Sequence, residues 1–190
     1  MAAGLPDISS RFTFRNWTLG GCFFKEAAGE LGVPGQVMKH RDEDAQEELS
    51  EGSGEHAGHM IGIQFGAPGG IENMGLQNPN MNTYARKYLQ NAFRGNGGSY
   101  YKLELDWKKK LQSGSRIWVV VQDKYQLGEE RPFTRTVQWT ETKGKQTESL
   151  TIEFPNFSSP QLRNARGETP GPVTNGGMGA TVIPLFGRKP

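Results

Sequence analysis

The chain has 190 residues, 34% of them hydrophobic, with 26 glycines and 11 prolines. This suits one domain with a modest core and long loops, and argues against a large packed enzyme. Lys and Arg number 22 against 20 Asp and Glu, an excess too small to imply a nucleic-acid partner, so any basic surface has to be local. The single cysteine, Cys22, excludes an internal disulfide. No apolar run reaches the roughly 18 residues of a membrane-spanning helix, so no membrane insertion is expected. The first residues carry acidic Asp7 and lack the basic-then-apolar pattern of a secretory signal, so export would need a separate machine.

In chain order, residues 11–19 partly alternate and predict a strand. Residues 20–36, with five glycines and Pro34, read mainly as loop. Residues 39–51 are charge-dense and read as a solvated helix or loop. Gly52–Gly54 make a break. His59, Ile61, Ile63 and Phe65 then alternate with Met60, Gly62 and Gln64 as a short strand, and Gly66–Gly70 form a loop. Asn78-Pro79 reads as a helix cap followed by proline at the first helical position. Met81, Tyr84, Ala85, Tyr88, Leu89, Ala92 and Phe93 give that helix one apolar face, ended by Gly95-Asn96-Gly97-Gly98. Asn82 falls in its first turn, off the apolar face. Residues 99–112 fit either a strand or a helix. Arg116–Tyr125, Phe133–Glu141 and Glu148–Phe154 are strand candidates, with a hairpin turn at Lys143-Gly144. Trp107, Trp118 and Trp139 read as core side chains. Beyond Pro155 the composition turns to Pro, Gly, Asn and Ser, and residues 158–182 read as an extended or disordered arm. The apolar cluster Val182–Phe186 would dock back on the domain or on a partner.

Function concentrates at residues 55–82. His56 and His59 lie here with the carboxamides Asn73, Gln77, Asn78, Asn80 and Asn82. A histidine exchanges a proton near neutral pH. A carboxamide oxygen binds a hard divalent cation without adding charge. Together beside a phosphate they would make a metal-assisted phosphodiesterase. Gly and Asn are also ordinary turn residues, and His56 with His59 at a spacing of three is a competing zinc pair.

Gly58-His59-Met60-Ile61-Gly62, Gln64-Phe65-Gly66, Glu72-Asn73-Met74, and Gln77 with Asn82 five places on resemble the non-specific DNA/RNA endonucleases among the ββα-metal, or His-Me finger, nucleases. The likeness is greatest to the branch found as toxin domains of bacterial polymorphic and contact-dependent systems. It runs from about Lys39 to Phe157, roughly two thirds of the chain, and is specific at 58–82.

The resemblance implies an α+β fold: a ββα-metal finger core with an antiparallel sheet and a few helices, between Gly/Pro-rich termini. It divides the chain into an N-terminal extension packing on the core (1–38), a nuclease domain (39–157) and a flexible C-terminal arm (158–190). It also favours a helix at 99–112, because relatives carry Leu-Glu-x-x-Trp where this chain has Leu103-Glu104-Leu105-Asp106-Trp107. The cofactor implied is one Mg²⁺ (or Mn²⁺). His59 is implied as the general base and Asn82 as metal ligand, with Asn80 its main rival. Asn73 would brace the loop or the ligands, and Asn78 would cap the helix. Glu104, given an inserted segment, or Gln90 without one, would support the metal through water. Gln77, Asn80, Arg86 and Lys87 would face substrate.

Many relatives read Asp-Arg-Gly-His where this chain reads His56-Ala57-Gly58-His59, as its branch does. Arg41, Arg86 or His56 would replace the missing arginine at the phosphate. The function implied is a sequence-non-specific endonuclease of DNA and/or RNA, used as a toxin effector. Such a protein is made in the bacterial cytoplasm, exported by a secretion machine and active in the target-cell cytoplasm. A cognate immunity protein, acidic to match Arg41, Arg86, Lys87 and Lys108–Lys110, would cover the 56–90 surface. The alternative is a catalytically silent nucleic-acid- or partner-binding domain that keeps the fold.

Overall fold

Two separated parts of the chain build one antiparallel sheet. A computed structural model describes residues 4–82 and 99–156. Strands β1 (Thr13–Leu19) and β2 (Cys22–Glu30) pair with each other, and β2 pairs with β5 (Arg116–Gln126). β6 (Thr134–Lys143) and β7 (Gln146–Pro155) complete the order β1-β2-β5-β6-β7. A second sheet holds only β3 (His56–His59) and β4 (Met74–Gln77), also antiparallel. Helices α1 (Glu43–Ser50) and α3 (Tyr100–Gln112) and the helical turn α2 (Pro79–Asn82) make the fold α+β. β1 and β2, inside the segment expected to lie on the core as an extension, are two of the large sheet's five strands.

Alternation decides which face of the large sheet is covered. Ile117, Val119 and Val121 of β5, Val137 and Trp139 of β6, and Ile152 and Phe154 of β7 are buried. α3 lies against this face through Tyr100, Trp107 and Leu111, all buried. Trp107 meets Phe65, Tyr100 and Trp139 edge-on, with ring centroids 5.9–6.2 Å apart, the arrangement aromatic quadrupoles favour. The helical alternative for 99–112 is therefore the one adopted. Ser99 starts it by accepting a hydrogen bond from Lys102 N–H. Trp118, expected in the core, is 48% exposed, because the period that turns Ile117 and Val119 inward turns residue 118 outward.

Two expectations are corrected. Residues 20–36 are not mainly loop: β2 occupies Cys22–Glu30. Gly20 and Gly21, both at positive φ, are the two-residue turn joining β1 to β2, the loop that a right-twisted hairpin favours. The glycine-rich composition therefore marked a hairpin. The strand expected across His59–Phe65 ends at His59. There the backbone is diverted: Met60 N–H donates to the Asn73 carbonyl at 2.6 Å, and Ile61 N–H donates to the Asn73 side chain at 2.9 Å. A 3-10 turn, Ile63–Phe65, follows. Met60 and Ile61 are consecutive and both fully buried, which no alternating strand allows.

α1 is the solvated helix expected from its composition. It buries no residue and is capped by Asp42, whose carboxylate accepts from Ala45 N–H at 3.0 Å. α2 begins at Pro79, and the Asn78 carbonyl accepts from Met81 and Asn82 N–H. The remainder of that expected helix, with Arg86, Lys87 and Gln90, and the arm from 158 onward lie outside the described residues.

Candidate functional site

A two-stranded sheet of four-residue strands does not stand alone in water. Four side chains tie it to its surroundings. Lys25 Nζ donates to the carbonyls of Ile71 and Met74, each at 2.6 Å. Gln46 donates to the Ala57 carbonyl at 3.2 Å. Asn156 donates to the Leu76 carbonyl at 2.8 Å, and Arg135 to the His59 carbonyl at 3.2 Å. The connection between β3 and β4 is held by Asn73. It is fully buried, and its side-chain NH₂ donates to the Ile61 and Pro68 carbonyls, both at 2.8 Å, while its oxygen takes Ile61 N–H.

His59 stands at the end of β3, half-buried. Its Nε2 is buried and has no hydrogen-bond partner among the described residues. Burial pulls the His59 pKa below the usual histidine value. The backbone of Gly69 opposes the shift, and the positive charges of Arg41 and Arg135 add to it.

The His59 ring lines a pocket of about 170 Å³ with Gly62, Ile63, Gln64, Asn82 and Glu104. Asn82 reaches it from the first turn of α2. Its position depends on Gly58: a Cβ there would lie 2.8 Å from Asn82 Oδ1 and 2.4 Å from Gln77 Nε2. Only glycine lets both carboxamides approach β3 this closely. Glu104 comes from α3, and its Oε1 accepts from Gly62 N–H at 3.0 Å. The residue is only partly buried by surface area, but dense packing around its carboxylate raises its pKa to about 7, against the lowering effects of Arg135 and the Gly62 bond. Three residues singled out from sequence, on three different elements, thus share one small cleft.

The other candidates are placed as follows. Gln77 is fully buried, and its Nε2 donates to the His59 carbonyl at 3.2 Å, bracing β3 from β4. Asn78 is buried behind the cleft, its N–H donating to Asn156 at 2.9 Å. Arg41 is exposed. It pairs with Glu43 at 3.3 Å and lines an open cavity with Gly69 and Gly70, close enough to His59 to bear on its titration. His56 is exposed at the start of β3 and does not line the pocket. Being three residues from His59 on a strand, it projects from the opposite face, which removes the two-histidine zinc pair. The side chain of Asn80, like Arg86 and Lys87, lies outside what is described. Lys110 is tied to Glu141 at 2.6 Å near the far end of α3.

The side-chain oxygen donors lining the pocket are those of Gln64, Asn82 and Glu104. Among the described residues no three His, Cys, Asp or Glu side chains form a metal-binding cluster, and no cationic group lies within 4.0 Å of the Glu104 carboxylate. A buried carboxylate short of positive charge, beside a neutral carboxamide oxygen, fits a hard divalent cation that keeps most of its water. It does not fit a four-ligand zinc centre.

A buried ion pair under the site went unread in the sequence. Arg135 makes two 2.6 Å hydrogen bonds to Asp123, and both side chains are fully buried. Burial alone would lower the Arg135 pKa; the Asp123 carboxylate outweighs it and raises it. The guanidinium also lies 4.9 Å from the Tyr100 ring centroid, and the Tyr100 hydroxyl donates to the Met60 carbonyl. A signal was present. Asp123 and Arg135 are direct cross-strand partners at inward positions of apolar strands, where two opposite charges belong only as a pair.

No family model and no curated protein matches the chain.

Proposed function

We propose that the chain is a metal-dependent, sequence-non-specific endonuclease that hydrolyses phosphodiester bonds of DNA and/or RNA. In this reading β3, β4 and α2 form the ββα-metal finger. The observation that carries it is the shared cleft of His59, Asn82 and Glu104, with His59 Nε2 left without a hydrogen-bond partner among the described residues.

His59 takes the proton of the attacking water, and the Gly69 backbone beside the ring favours the protonated form that results. The lowered pKa keeps the ring neutral, hence basic, at neutral pH. Arg41 lines the neighbouring cavity beside Gly69 and acts on the His59 charge; in this reading it supplies positive charge to the phosphate in place of the arginine that many relatives carry beside the histidine. Asn82 would hold Mg²⁺ or Mn²⁺ directly and Glu104 through water. When bound, such an ion polarises the phosphoryl group and eases departure of the leaving oxygen. Gln77 and Asn73 do not touch the reacting atoms; they hold the strand and loop that carry His59.

The test is digestion of plasmid DNA and of RNA by the full chain with Mg²⁺, with Mn²⁺ and with EDTA. Cleavage that EDTA abolishes and His59→Ala reduces at least about a hundredfold supports the reading. Cleavage indifferent to both, or none on either nucleic acid, overturns it. The biological setting proposed is a bacterial toxin effector with an acidic immunity protein. Expression in a bacterial cytosol should arrest growth, and His59→Ala should relieve the arrest.

A further inference from the structure

The cleft of His59, Asn82 and Glu104 has one more polar side chain on its wall, Gln64. Gln64 is the middle residue of the 3-10 turn Ile63–Phe65, and that turn is fixed from several sides. Phe65 is fully buried and meets Trp107 edge-on, with ring centroids 6.2 Å apart. The Phe65 carbonyl accepts from Gly32 N–H at 2.9 Å. On the other flank, Glu104 holds Gly62 N–H at 3.0 Å. A Cβ at Gly62 would lie 2.6 Å from Glu104 Oε1, so only glycine allows this approach. With Phe65 drawn into the core, Gln64 is left facing the cleft, half-buried. Its carboxamide makes no hydrogen bond among the described residues. A rigid turn thus presents an uncommitted carboxamide beside the reactive groups.

A phosphodiester under attack by water gathers negative charge on its two non-bridging oxygens. A single divalent cation meets one of them. The other needs a donor already in place. No Lys or Arg lines the cleft, and Arg41 lines the neighbouring cavity. Gly62 N–H is committed to Glu104. In the reading above, Asn82 and Glu104 serve the cation and His59 serves the water. Gln64 is the remaining side chain of the lining with N–H groups and no other task. We propose that Gln64 donates from Nε2 to the non-bridging oxygen of the scissile phosphate that the cation does not hold. This rests on the nuclease reading and adds a substrate contact to it.

The experiment uses the full chain and an oligonucleotide with a single phosphorothioate linkage, supplied as separate Rp and Sp diastereomers beside the all-oxygen control. Cleavage at that linkage is read from product length. Sulfur accepts hydrogen bonds poorly, so wild type should cut one diastereomer slowly in Mg²⁺ and in Mn²⁺ alike, the mark of a protein donor. Gln64→Ala should lower kcat/KM on the all-oxygen linkage about a hundredfold, with the melting temperature unchanged, and should lose that diastereomer preference. In a His59→Ala background with EDTA, Gln64→Glu sets a carboxylate against the phosphate. It should weaken binding of fluorescein-labelled oligothymidylate at least about fivefold. EDTA-sensitive, His59-dependent cleavage that Gln64→Ala leaves near the wild-type rate would overturn this contact alone. So would a diastereomer preference that survives the substitution, or binding indifferent to Gln64→Glu. No EDTA-sensitive cleavage by the wild-type chain would overturn the nuclease reading, and the contact with it.

Discussion

The large and small sheets of this molecule share one apolar core but differ in how much polar bracing they need. The five-stranded sheet rests on apolar burial, with Val121, Val137, Trp139 and Phe154 packed under α3. The β3–β4 sheet and its 60–73 connection join that core through Met60, Ile61, Phe65 and Ala67, but are braced in addition by single hydrogen bonds from Asn73, Gln77, Lys25, Gln46 and Asn156 to backbone carbonyls. Apolar packing spreads its energy over many atoms and tolerates volume-conserving change. Hydrogen-bonded bracing is concentrated in a few groups, each costly to lose. The candidate site adds the second kind to the first, so loss of a single carboxamide or lysine bears on it directly.

Arg135 joins the two regimes, since it sits inside the large sheet yet reaches the His59 carbonyl. Arg135→Ala leaves Asp123 as a buried unpaired charge and should cost about 3–5 kcal/mol, read by denaturant unfolding. The paired change Arg135→Met with Asp123→Leu should recover most of that stability while still lacking the bond to His59. If the pair fails to recover it, the large sheet is not the apolar scaffold described. Asn73→Ala removes three buried bonds and should cost about 3 kcal/mol, whereas Val121→Ile in the large sheet should cost less, about 1–2 kcal/mol. Equal losses would erase the distinction between the sheets.

His59→Ala separates chemistry from bracing. Activity should fall at least about a hundredfold with the melting temperature held within a few degrees, because the neighbouring bonds to β3 use the His59 carbonyl and not its ring. Because the His59 pKa is lowered, its proton leaves below the ordinary histidine range. The acid limb of kcat/KM should therefore fall off below pH about 6.5. A limb above that value would contradict the burial of the ring. Asn82→Ala should raise the Mg²⁺ concentration needed for half-maximal rate and leave the large sheet untouched, as hydrogen exchange would report.

Glu104 gives the smallest and most specific effect. Its folded pKa near 7 lies above the ordinary glutamate value. The carboxyl therefore imposes no penalty below about pH 4.5, and costs stability progressively as pH rises toward 7. Glu104→Gln should raise the melting temperature more at pH 8.5 than at pH 5. A bound divalent cation reverses the burial penalty, so adding Mg²⁺ to the wild-type chain at pH 7 should release up to about half a proton. The Gln variant should release none from this position, and unchanged release would remove Glu104 from the cation site.

The two sheets also differ in how far the sequence discloses them. The alternation of Ile117 to Tyr125 and the turn expected at Lys143-Gly144, which falls one residue later at Gly144-Lys145, show three strands almost to their ends. β2 was hidden because Gly20, Gly21 and Gly29 dilute its pattern, although two of them are only its turn. The route from Met60 to Asn73 was not legible, because it is set by one carboxamide's bonds and not by periodicity. Plain spacing pointed to Gln90 and the resemblance, with an inserted segment, to Glu104; Glu104 lines the cleft with His59 and Asn82, and Gln90 lies outside the described residues. Arg41 was readable only as a nearby cation. The Asp123–Arg135 pair was missed because each charge, taken alone, looks like an ordinary polar residue on a strand.

The segment bearing the cleft is spliced between β2 and β5, which pair residues roughly ninety to a hundred positions apart. Closing so long a loop is slow compared with forming the β5–β6–β7 meander, whose contacts are local. β4 is moreover latched by Asn156, beyond the last strand of the sheet. The expectation from this topology is that the cleft's side chains come together late in folding, after the meander has formed. A half-made chain holds His59, Asn82 and Glu104 in its sequence but not in one place.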